Sequence, residues 1–292
     1  MGHLIIFSLV VLIILLEMIK GFQNFKNVEN FETFGIFTTY DCVISINIHE
    51  NIQFLLKQLE NIKQNVKCSY LVILNCNDTM HYRLKSLLLP SNVVVHNIIL
   101  NKKWEHGSLE HGIYNNLVFA TKYYKFRYFI CCSSRNFFAN NLKLQDLNQL
   151  IDYSYLPDEP SLMVGGTKVV YTNQPDFKVK YYYWHWPTFF NSKLGQYCIA
   201  NQYPFYVSPH EGLVFSYDCC FAIINFLDKN PKIQINLFNL KAAVEEFGLQ
   251  TIAKFSGHPF YYIGNGCCNE NMIPPNNPSA LNKKFMYKVK RI

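Results

Sequence analysis

Short apolar runs alternate with amphipathic segments through the first half of the chain. The apolar runs, which are rich in β-branched residues, predict strands over residues 42–48, 70–74, 92–96 and 128–132. Apolar positions at helical spacing between these runs predict helices over residues 51–62, 81–88 and 108–124. This alternation is typical of an α/β fold with a mostly parallel central sheet and right-handed crossovers.

Polar residues follow three of the predicted strands. They are His49-Glu50 after the first strand, residues 75–78 after the second and residues 133–136 after the fourth. Ligands of open α/β sheets bind beyond the carboxyl ends of the strands, so we expect a ligand site at this edge. Its predicted residues are His49, Asn75, Ser133, Ser134, Arg135 and Asn136.

The chain begins with an apolar segment over residues 4–16. As a helix, the first sixteen residues span roughly 24 Å, somewhat less than a hydrocarbon layer of about 30 Å. This fits a signal-peptide core or a signal anchor, and the lack of a small-x-small cleavage pattern favours the anchor. We therefore expect an N-terminal signal anchor over residues 1–20, a stem over 21–40 and one domain over 41–292. Lys20 and Lys26 follow the segment, and by the positive-inside rule they favour a cytoplasmic domain.

Composition excludes some classes of protein. Half of the 292 residues are hydrophobic and the formal net charge is +7, which is typical of a globular chain rather than a disordered one. Basic residues concentrate in the tail, from Lys283 and Lys284 to Arg291. The tail is either a solvated end or a contact for a diphosphate or an anionic surface. No basic helix or aromatic–basic motif is present, which argues against nucleic acid as a partner.

Ten cysteines are many for a cytosolic chain of this length. Three adjacent pairs occur, at 131–132, 219–220 and 267–268, and none has the spacing of a zinc site. Adjacent cysteines can pair with distant partners in an oxidising lumen, or the first two pairs can fill buried strand positions as small hydrophobic residues. One glycosylation sequon, at Asn77, gives weak support to a secretory route.

Three short motifs follow one another along the chain. Residues 104–109 (Trp-Glu-His-Gly-Ser-Leu) open the third predicted helix, and residues 133–138 (Ser-Ser-Arg-Asn-Phe-Phe) follow the fourth strand. Further on, Gly212 precedes a short apolar strand, and Glu245-Glu246 precedes Thr251. In this order and spacing the motifs resemble the core-2/I-branching glycosyltransferases, over residues 41–257. The chain departs from the family at Ser134, Asn136 and Phe138, where the family has Gly, Asp and Pro.

The resemblance implies a GT-A-type, Rossmann-like nucleotide-diphospho-sugar transferase fold. It also implies inverting, metal-independent transfer from a UDP-sugar, such as UDP-N-acetylglucosamine or UDP-xylose, to a hydroxyl of a glycan or glycoprotein. Glu246, five residues before Thr251, matches the family's catalytic base, which takes the acceptor proton. Glu211 is the rival for this role. On a helix Glu245 would point about 100° away from Glu246 and could be exposed. The family expectation is a lumenal domain in the Golgi or endoplasmic reticulum, the reverse of the orientation that the flanking charges favour.

The chain contains no Asp-x-Asp, in agreement with a family that neutralises the leaving diphosphate with basic side chains. No cofactor is therefore expected beyond the UDP-sugar co-substrate. On the donor side the predicted residues are His49, Asn75, Lys254, Lys283 and Lys284. If the tail does not hold the diphosphate, Lys254, Arg127 and Arg135 are the remaining candidates. On the sugar and acceptor side they are Ser133, Ser134, Arg135, Asn136, Glu211, Gly212, Trp184 and Trp186. The two tryptophans lie in an aromatic segment that could stack on sugar rings or could be core.

Two functions from different classes remain open. The first is the membrane-anchored glycosyltransferase, which Glu246 and Thr251 favour. The second is a non-catalytic, membrane-tethered relative that binds a sugar or a protein with the same fold. Asn136 in place of Asp and the short segment beyond Thr251 favour this second function.

Overall fold

A computed structural model describes residues 39–48, 51–96, 106–138, 142–144, 169–170, 186–203, 205–206, 212–256, 267–268 and 286–288. The strands are β1 (Thr39–Asn47), β2 (Tyr70–Asn75), β3 (Val93–Val95), β4 (Lys125–Ser133), β5 (Asn136–Phe138), β6 (Val169–Val170), β7 (Phe205–Tyr206), β8 (Val214–Ser216), β9 (Cys267–Cys268) and β10 (Met286–Lys288). The helices are α1 (Ile52–Asn65), α2 (Asp78–Lys85), α3 (Ser108–Tyr123), α4 (Trp186–Phe190), α5 (Lys193–Ala200), α6 (Tyr217–Lys229), α7 (Pro231–Asn239) and α8 (Gly248–Phe255), with a 3-10 turn at Val244–Glu246.

The central sheet has five strands in the order β3-β2-β1-β4-β8. The first four are parallel, and β8 pairs with β4 in the antiparallel direction. At its carboxyl end β1 lies between two neighbours, because Asn47 is opposite Asn75 of β2 and also opposite Ser133 of β4. The predicted α/β fold with a mostly parallel sheet is confirmed, and the architecture is Rossmann-like.

Helices cover both faces of the sheet. On one face α1 and α2 contact a largely aliphatic core that includes Ile44 and Leu59. On the other face α3, α6, α7 and α8 contact a core rich in aromatic residues, among them Phe129 and Phe247. Successive residues of β1, such as Val43 and Ile44, belong to opposite cores because side chains alternate across a strand. Both faces of the central strand are therefore buried, which explains its continuous apolar sequence.

Local capping sets the helix boundaries. The side chain of Asn51 accepts a hydrogen bond from the N–H of Phe54 at 2.8 Å, and α1 begins at the next residue. Asn77 caps α2 in the same way, accepting from the N–H of Met80 at 2.9 Å. Helix α2 therefore begins three residues before the predicted start at His81. All seven elements predicted over residues 42–132 are present, with ends shifted by a few residues.

A close approach fixes the start of α3 against α7. Gly107, just before α3, donates its N–H to the carbonyl oxygen of Leu240 at 2.8 Å. A Cβ at this position would overlap the carbonyl oxygen of Leu237. Only glycine fits here without a shift of the backbone, so the Gly-Ser of the 104–109 motif places α3 precisely against its neighbour.

The two adjacent cysteine pairs of the core occupy different elements. Cys131 and Cys132 are buried in β4, as the hydrophobic alternative predicted. Cys219 and Cys220 are also buried, but they lie in helix α6 rather than in a strand. The strand prediction for the second pair is wrong because Ser216 caps a helix there, accepting from the N–H of Cys219 at 3.2 Å.

The described residues all belong to one compact unit, Thr38–Ile292. The predicted anchor at 1–20 and nearly all of the predicted stem at 21–40 lie outside the described residues. Within the part of the chain that the structure describes, no helix is both long and apolar enough to cross a membrane.

Candidate functional site

The carboxyl edge of the sheet has a topological switch point between β1 and β4. The chain runs from β1 outward through β2 to β3, and then returns to place β4 on the other side of β1. A crevice opens at such a point because the connections leave in opposite directions, and this is where open α/β sheets bind ligands. Asn47 and Ser133, which are opposite each other in the register, mark its position.

Asn47 ties this edge to the start of α3. Its Nδ2 donates to the carbonyl oxygen of Leu109 at 2.8 Å, and it is only 3% exposed. The Nδ2 of Asn75 on the next strand donates to the carbonyl oxygen of Gly112 at 3.4 Å. Asn47 Oδ1 is buried and has no hydrogen-bond partner among the described residues. A buried acceptor at a switch point is a candidate contact for a ligand that donates a hydrogen bond.

The loop after β4 forms a buried polar turn. Asn136 Oδ1 accepts the N–H of Ser133, and both residues are nearly inaccessible, as is Ser134. Gln58 of α1 reinforces the turn by donating from Nε2 to the carbonyl oxygens of Ser133 at 2.9 Å and Asn136 at 2.8 Å. An amide oxygen accepts the Ser133 N–H as a carboxylate would, so Asn at position 136 preserves this turn. Arg135, at its tip, is half-buried.

Glu110 is a buried ionisable residue close to this edge of the sheet. It lies in the first turn of α3 and is 1% exposed. Its Oε1 accepts the N–H of Leu249 at 2.6 Å, which satisfies one of the free donors at the start of α8. Burial raises the pKa of Glu110 well above its ordinary value; the Leu249 hydrogen bond opposes this rise and the nearby Glu245 adds to it. Glu110 therefore joins α3 to the segment that carries Glu245 and Glu246.

The two adjacent glutamates occupy different environments. Both lie in the 3-10 turn Val244–Glu246, which precedes α8. Glu245 is only 5% exposed, whereas Glu246 is partly exposed. The expectation that Glu245 could be exposed is wrong, because a 3-10 turn directs it toward Glu110 and the core. Glu246 is thus the acid of this pair that solvent can reach.

Gly212 lies beside β4 and is hydrogen-bonded to Cys131, a residue close to Glu110. Its N–H donates to the carbonyl oxygen of Cys131 at 2.9 Å, and its φ of 85° belongs to the left-handed region that favours glycine. The charge of Glu110 contributes to a raised pKa of Cys131, for which burial is the larger cause. The structure therefore brings Gly212, Cys131 and Glu110 into one neighbourhood. The predicted strand after Gly212 is present as β8.

Two basic residues that could contact a diphosphate, Lys254 and Arg127, lie in different parts of the fold. Lys254 is partly buried in the last turn of α8, and Glu110 contacts the first turn of that helix. Arg127 is exposed near the start of β4, six residues and roughly 20 Å before Ser133. Arg127 is therefore at the opposite end of the strand from the switch point.

A surface cavity of about 360 Å³ lies along the other side of the sheet, between α1 and the edge strand β3. Its walls are mainly apolar and include Leu56, Leu59, Leu88 and Pro90. It contains none of the predicted site residues.

Several predicted residues fall outside the described residues. They are His49, Trp184, Glu211, Lys283 and Lys284. Trp186 is the first residue of α4, but its side chain is also outside the described part. Their assignment to donor or acceptor binding stays a prediction.

Asn47 and Glu110 were missed by the sequence analysis. β1 was expected to end at residue 48, so Asn47 was counted as strand rather than as its polar end. Glu110 is a lone acid in the first turn of a helix, a common and usually exposed position, and only its contact with Leu249, 139 residues away, reveals its burial.

In the described ranges, no three His, Cys, Asp or Glu side chains come together in a way that could hold a metal ion. Comparison with known proteins finds no family model that matches the chain and no significantly similar curated protein.

Proposed function

We propose that the chain is a metal-independent, inverting glycosyltransferase of the GT-A type. It transfers a sugar, N-acetylglucosamine or xylose, from a UDP-sugar to a hydroxyl of a glycan or glycoprotein. The anchor over residues 1–20 would tether it to a membrane with its domain in the secretory lumen. The observation that carries the proposal is a partly exposed carboxylate, Glu246, next to a buried one in a turn that Glu110 joins to α3.

The sheet edge supports the donor half of the proposal. A switch point flanked by Asn47 and Ser133 is the usual place for a nucleotide in this type of sheet. The unpaired Oδ1 of Asn47 can accept a hydrogen bond from a ribose hydroxyl or from a uracil N–H.

The environment of Glu246 supports a role as general base. An inverting transfer needs a carboxylate that takes the acceptor proton as the hydroxyl attacks the anomeric carbon. The base must be reachable by the acceptor and yet held in place. Glu246 meets both needs, because it is partly exposed and its turn is fixed between the buried Glu245 and the Glu110–Leu249 hydrogen bond.

The leaving diphosphate requires positive charge. Arg135 follows β4 at the switch-point edge, and its half-buried position suits a contact with phosphate oxygens. Lys254, Lys283 and Lys284 are the other cations of the proposal.

The decisive experiment is Glu246→Gln, assayed for transfer and for donor hydrolysis with UDP-N-acetylglucosamine and UDP-xylose, with and without EDTA. We expect kcat to fall by roughly two or more decades while UDP affinity stays within a few-fold, because only the proton acceptor is lost. Glu60→Gln is the matched control, since Glu60 is an exposed glutamate of α1. Full turnover by Glu246→Gln together with loss in Glu211→Gln would move the base to Glu211.

A strict requirement for a divalent ion would overturn the metal-independent mechanism. The alternative function, sugar or protein binding without chemistry, draws support from Asn136, whose side chain is buried in the turn where the resembled family has Asp. It predicts that the wild-type protein binds UDP-sugar in calorimetry but neither transfers nor hydrolyses it.

A further inference from the structure

Two cysteine thiols lie side by side near the amino end of the sheet. The Sγ atoms of Cys42 and Cys68 are 3.7 Å apart. Cys42 is a fully buried residue of β1, and Cys68 is a partly exposed residue just before β2. Neither belongs to the adjacent pairs that stand out in the sequence. Their closeness is a product of the fold, since 26 positions separate them in the chain.

A set of hydrogen bonds fixes the backbone on which these thiols stand. Asp41 Oδ2 accepts the N–H of Ser69 at 2.9 Å and its hydroxyl at 2.8 Å. In return, the N–H of Asp41 donates to Ser69 Oγ at 2.8 Å, and the N–H of Cys42 donates to the carbonyl oxygen of Ser69 at 3.1 Å. These hydrogen bonds, called here the Asp41–Ser69 clasp, hold together the residues next to both cysteines. The backbone segments that carry the two thiols cannot separate without breaking these bonds.

We propose that Cys42 and Cys68 are a modification site, at which a disulfide reagent or a dithiol–disulfide oxidoreductase forms an intrachain disulfide. The sulfur atoms are 3.7 Å apart and would approach each other to the bonding distance of about 2.05 Å. The bond would link β1 to the start of β2 and close a loop that contains all of α1. This inference does not depend on the proposed glycosyltransferase activity.

The disulfide forms by two successive thiol–disulfide exchange reactions. The thiolate of Cys68, the accessible member, attacks one sulfur of a disulfide RSSR; the S–S bond of the reagent breaks and one RS⁻ leaves. The thiolate of Cys42 then attacks the sulfur of Cys68, breaks the mixed disulfide and releases the second RS⁻. The two protons of the cysteines pass to the two RS⁻ groups through solvent. The protein is oxidised by two electrons, and the reagent is reduced to two RSH.

The closed loop has a measurable consequence. A covalent link across about 26 residues restricts the unfolded chain, while the clasp already holds the folded chain in the required arrangement. We therefore expect the melting temperature of the oxidised protein to exceed that of the reduced protein by about 5–10 °C.

The test incubates the full chain with oxidised glutathione or with dithiothreitol, blocks remaining thiols under denaturing conditions and maps the peptides by mass spectrometry. We expect a peptide that joins residues 42 and 68 in the oxidised sample only, together with the rise in melting temperature. Cys68→Ser changes a partly exposed side chain and should fold normally, but it should lose both effects. Cys76→Ser, at a buried cysteine after β2, is the matched control and should retain both.

Two results would overturn the inference. One is recovery of blocked Cys42 and Cys68 after oxidation of the folded protein. The other is a stable glutathione adduct on Cys68 with Cys42 still reduced, which would mean that the buried thiol does not complete the exchange.

Discussion

Two buried side chains, one on each face of the sheet, fasten a helix to backbone at or near its carboxyl edge. Gln58 of α1 is neutral and donates to two carbonyl oxygens of the turn after β4. Glu110 of α3 is ionisable and accepts one N–H at the start of α8. Both are at most 1% exposed. On one face the helix is therefore held by a neutral hydrogen-bond donor, and on the other face by an ionisable hydrogen-bond acceptor.

The two contacts are expected to depend differently on pH. An amide keeps its donors at every pH, so the turn that Gln58 holds is insensitive to protonation. A buried carboxyl group changes its charge as it gains or loses a proton, and the cost of burying that charge is large. The segment that carries Glu246 is therefore held by a group whose state depends on its surroundings, whereas the Ser133–Asn136 turn is not.

The largest effect is expected for Gln58→Ala. The substitution removes both donors from the carbonyl oxygens of Ser133 and Asn136 and opens a cavity, so the free energy of unfolding should fall by about 2–4 kcal/mol. Urea denaturation measures it. Gln64→Ala, at an exposed glutamine of the same helix, should change the value by less than about 0.5 kcal/mol. Equal losses in the two variants would mean that the hydrogen bonds of the buried Gln58 amide do not contribute to stability.

Glu110→Ala should lower the free energy of unfolding by about 1–3 kcal/mol, because the N–H of Leu249 loses its acceptor in a buried place. The expected loss is smaller than for Gln58 because one hydrogen bond is removed and the repulsion from Glu245 is relieved. Glu110→Gln keeps an acceptor oxygen at the same length and should recover most of the loss. A glutamine variant as unstable as the alanine variant would show that the acceptor is not what matters.

Gly248→Ala tests the contact between Glu110 and the start of α8 by changing α8 instead of Glu110. A Cβ at position 248 would overlap Oε1 of Glu110, so we expect a loss of about 1–2 kcal/mol in the wild-type background. In Glu110→Ala the overlapping oxygen is absent, and the same change should cost less. A double-mutant cycle in urea should give a coupling energy of at least about 0.5 kcal/mol. Additive losses would contradict direct contact.

The smallest effect is a difference in pH dependence. Burial raises the pKa of Glu110, as does Glu245, against the opposing hydrogen bond from Leu249. The folded protein therefore holds this proton at pH values where the unfolded chain, with a pKa of about 4.3, has lost it. Because the folded state binds more protons, stability from Glu110 is fully present below about pH 4 and declines as pH rises through the folded pKa.

Urea denaturation between about pH 4 and pH 8 separates the two faces. The advantage of wild type over Glu110→Gln should shrink as pH rises, whereas the advantage of wild type over Gln58→Ala should stay constant. A constant offset for both variants would mean that Glu110 does not titrate differently on folding. The charge of Glu110 also contributes to the raised pKa of the buried Cys131 thiol, for which burial is the larger cause.

The sequence predicts the sheet well and the site only in part. Periodicity reveals β1 to β4 and their helices because each buries a regular set of apolar side chains. The same pattern cannot reveal that Glu110 is buried, since its partner Leu249 is distant in the chain. The Glu245-Glu246 pair is visible in the sequence, but which of the two is exposed depends on a 3-10 turn that begins at Val244. A helical projection of 100° per residue misassigns them there.

The hydrogen bond between Glu110 and Leu249 also bears on the order in which we expect the fold to assemble. It joins positions 139 residues apart, whereas the Asp41–Ser69 clasp joins positions only 28 apart. Contacts of low sequence separation form faster, and a chain emerging from the ribosome completes β1, α1 and β2 long before α8 exists. We therefore expect the pairing of β1 with β2 to form early and the turn that carries Glu245 and Glu246 to dock last. A chain stalled between these stages would have β1 paired with β2 but would lack the turn that carries Glu245 and Glu246.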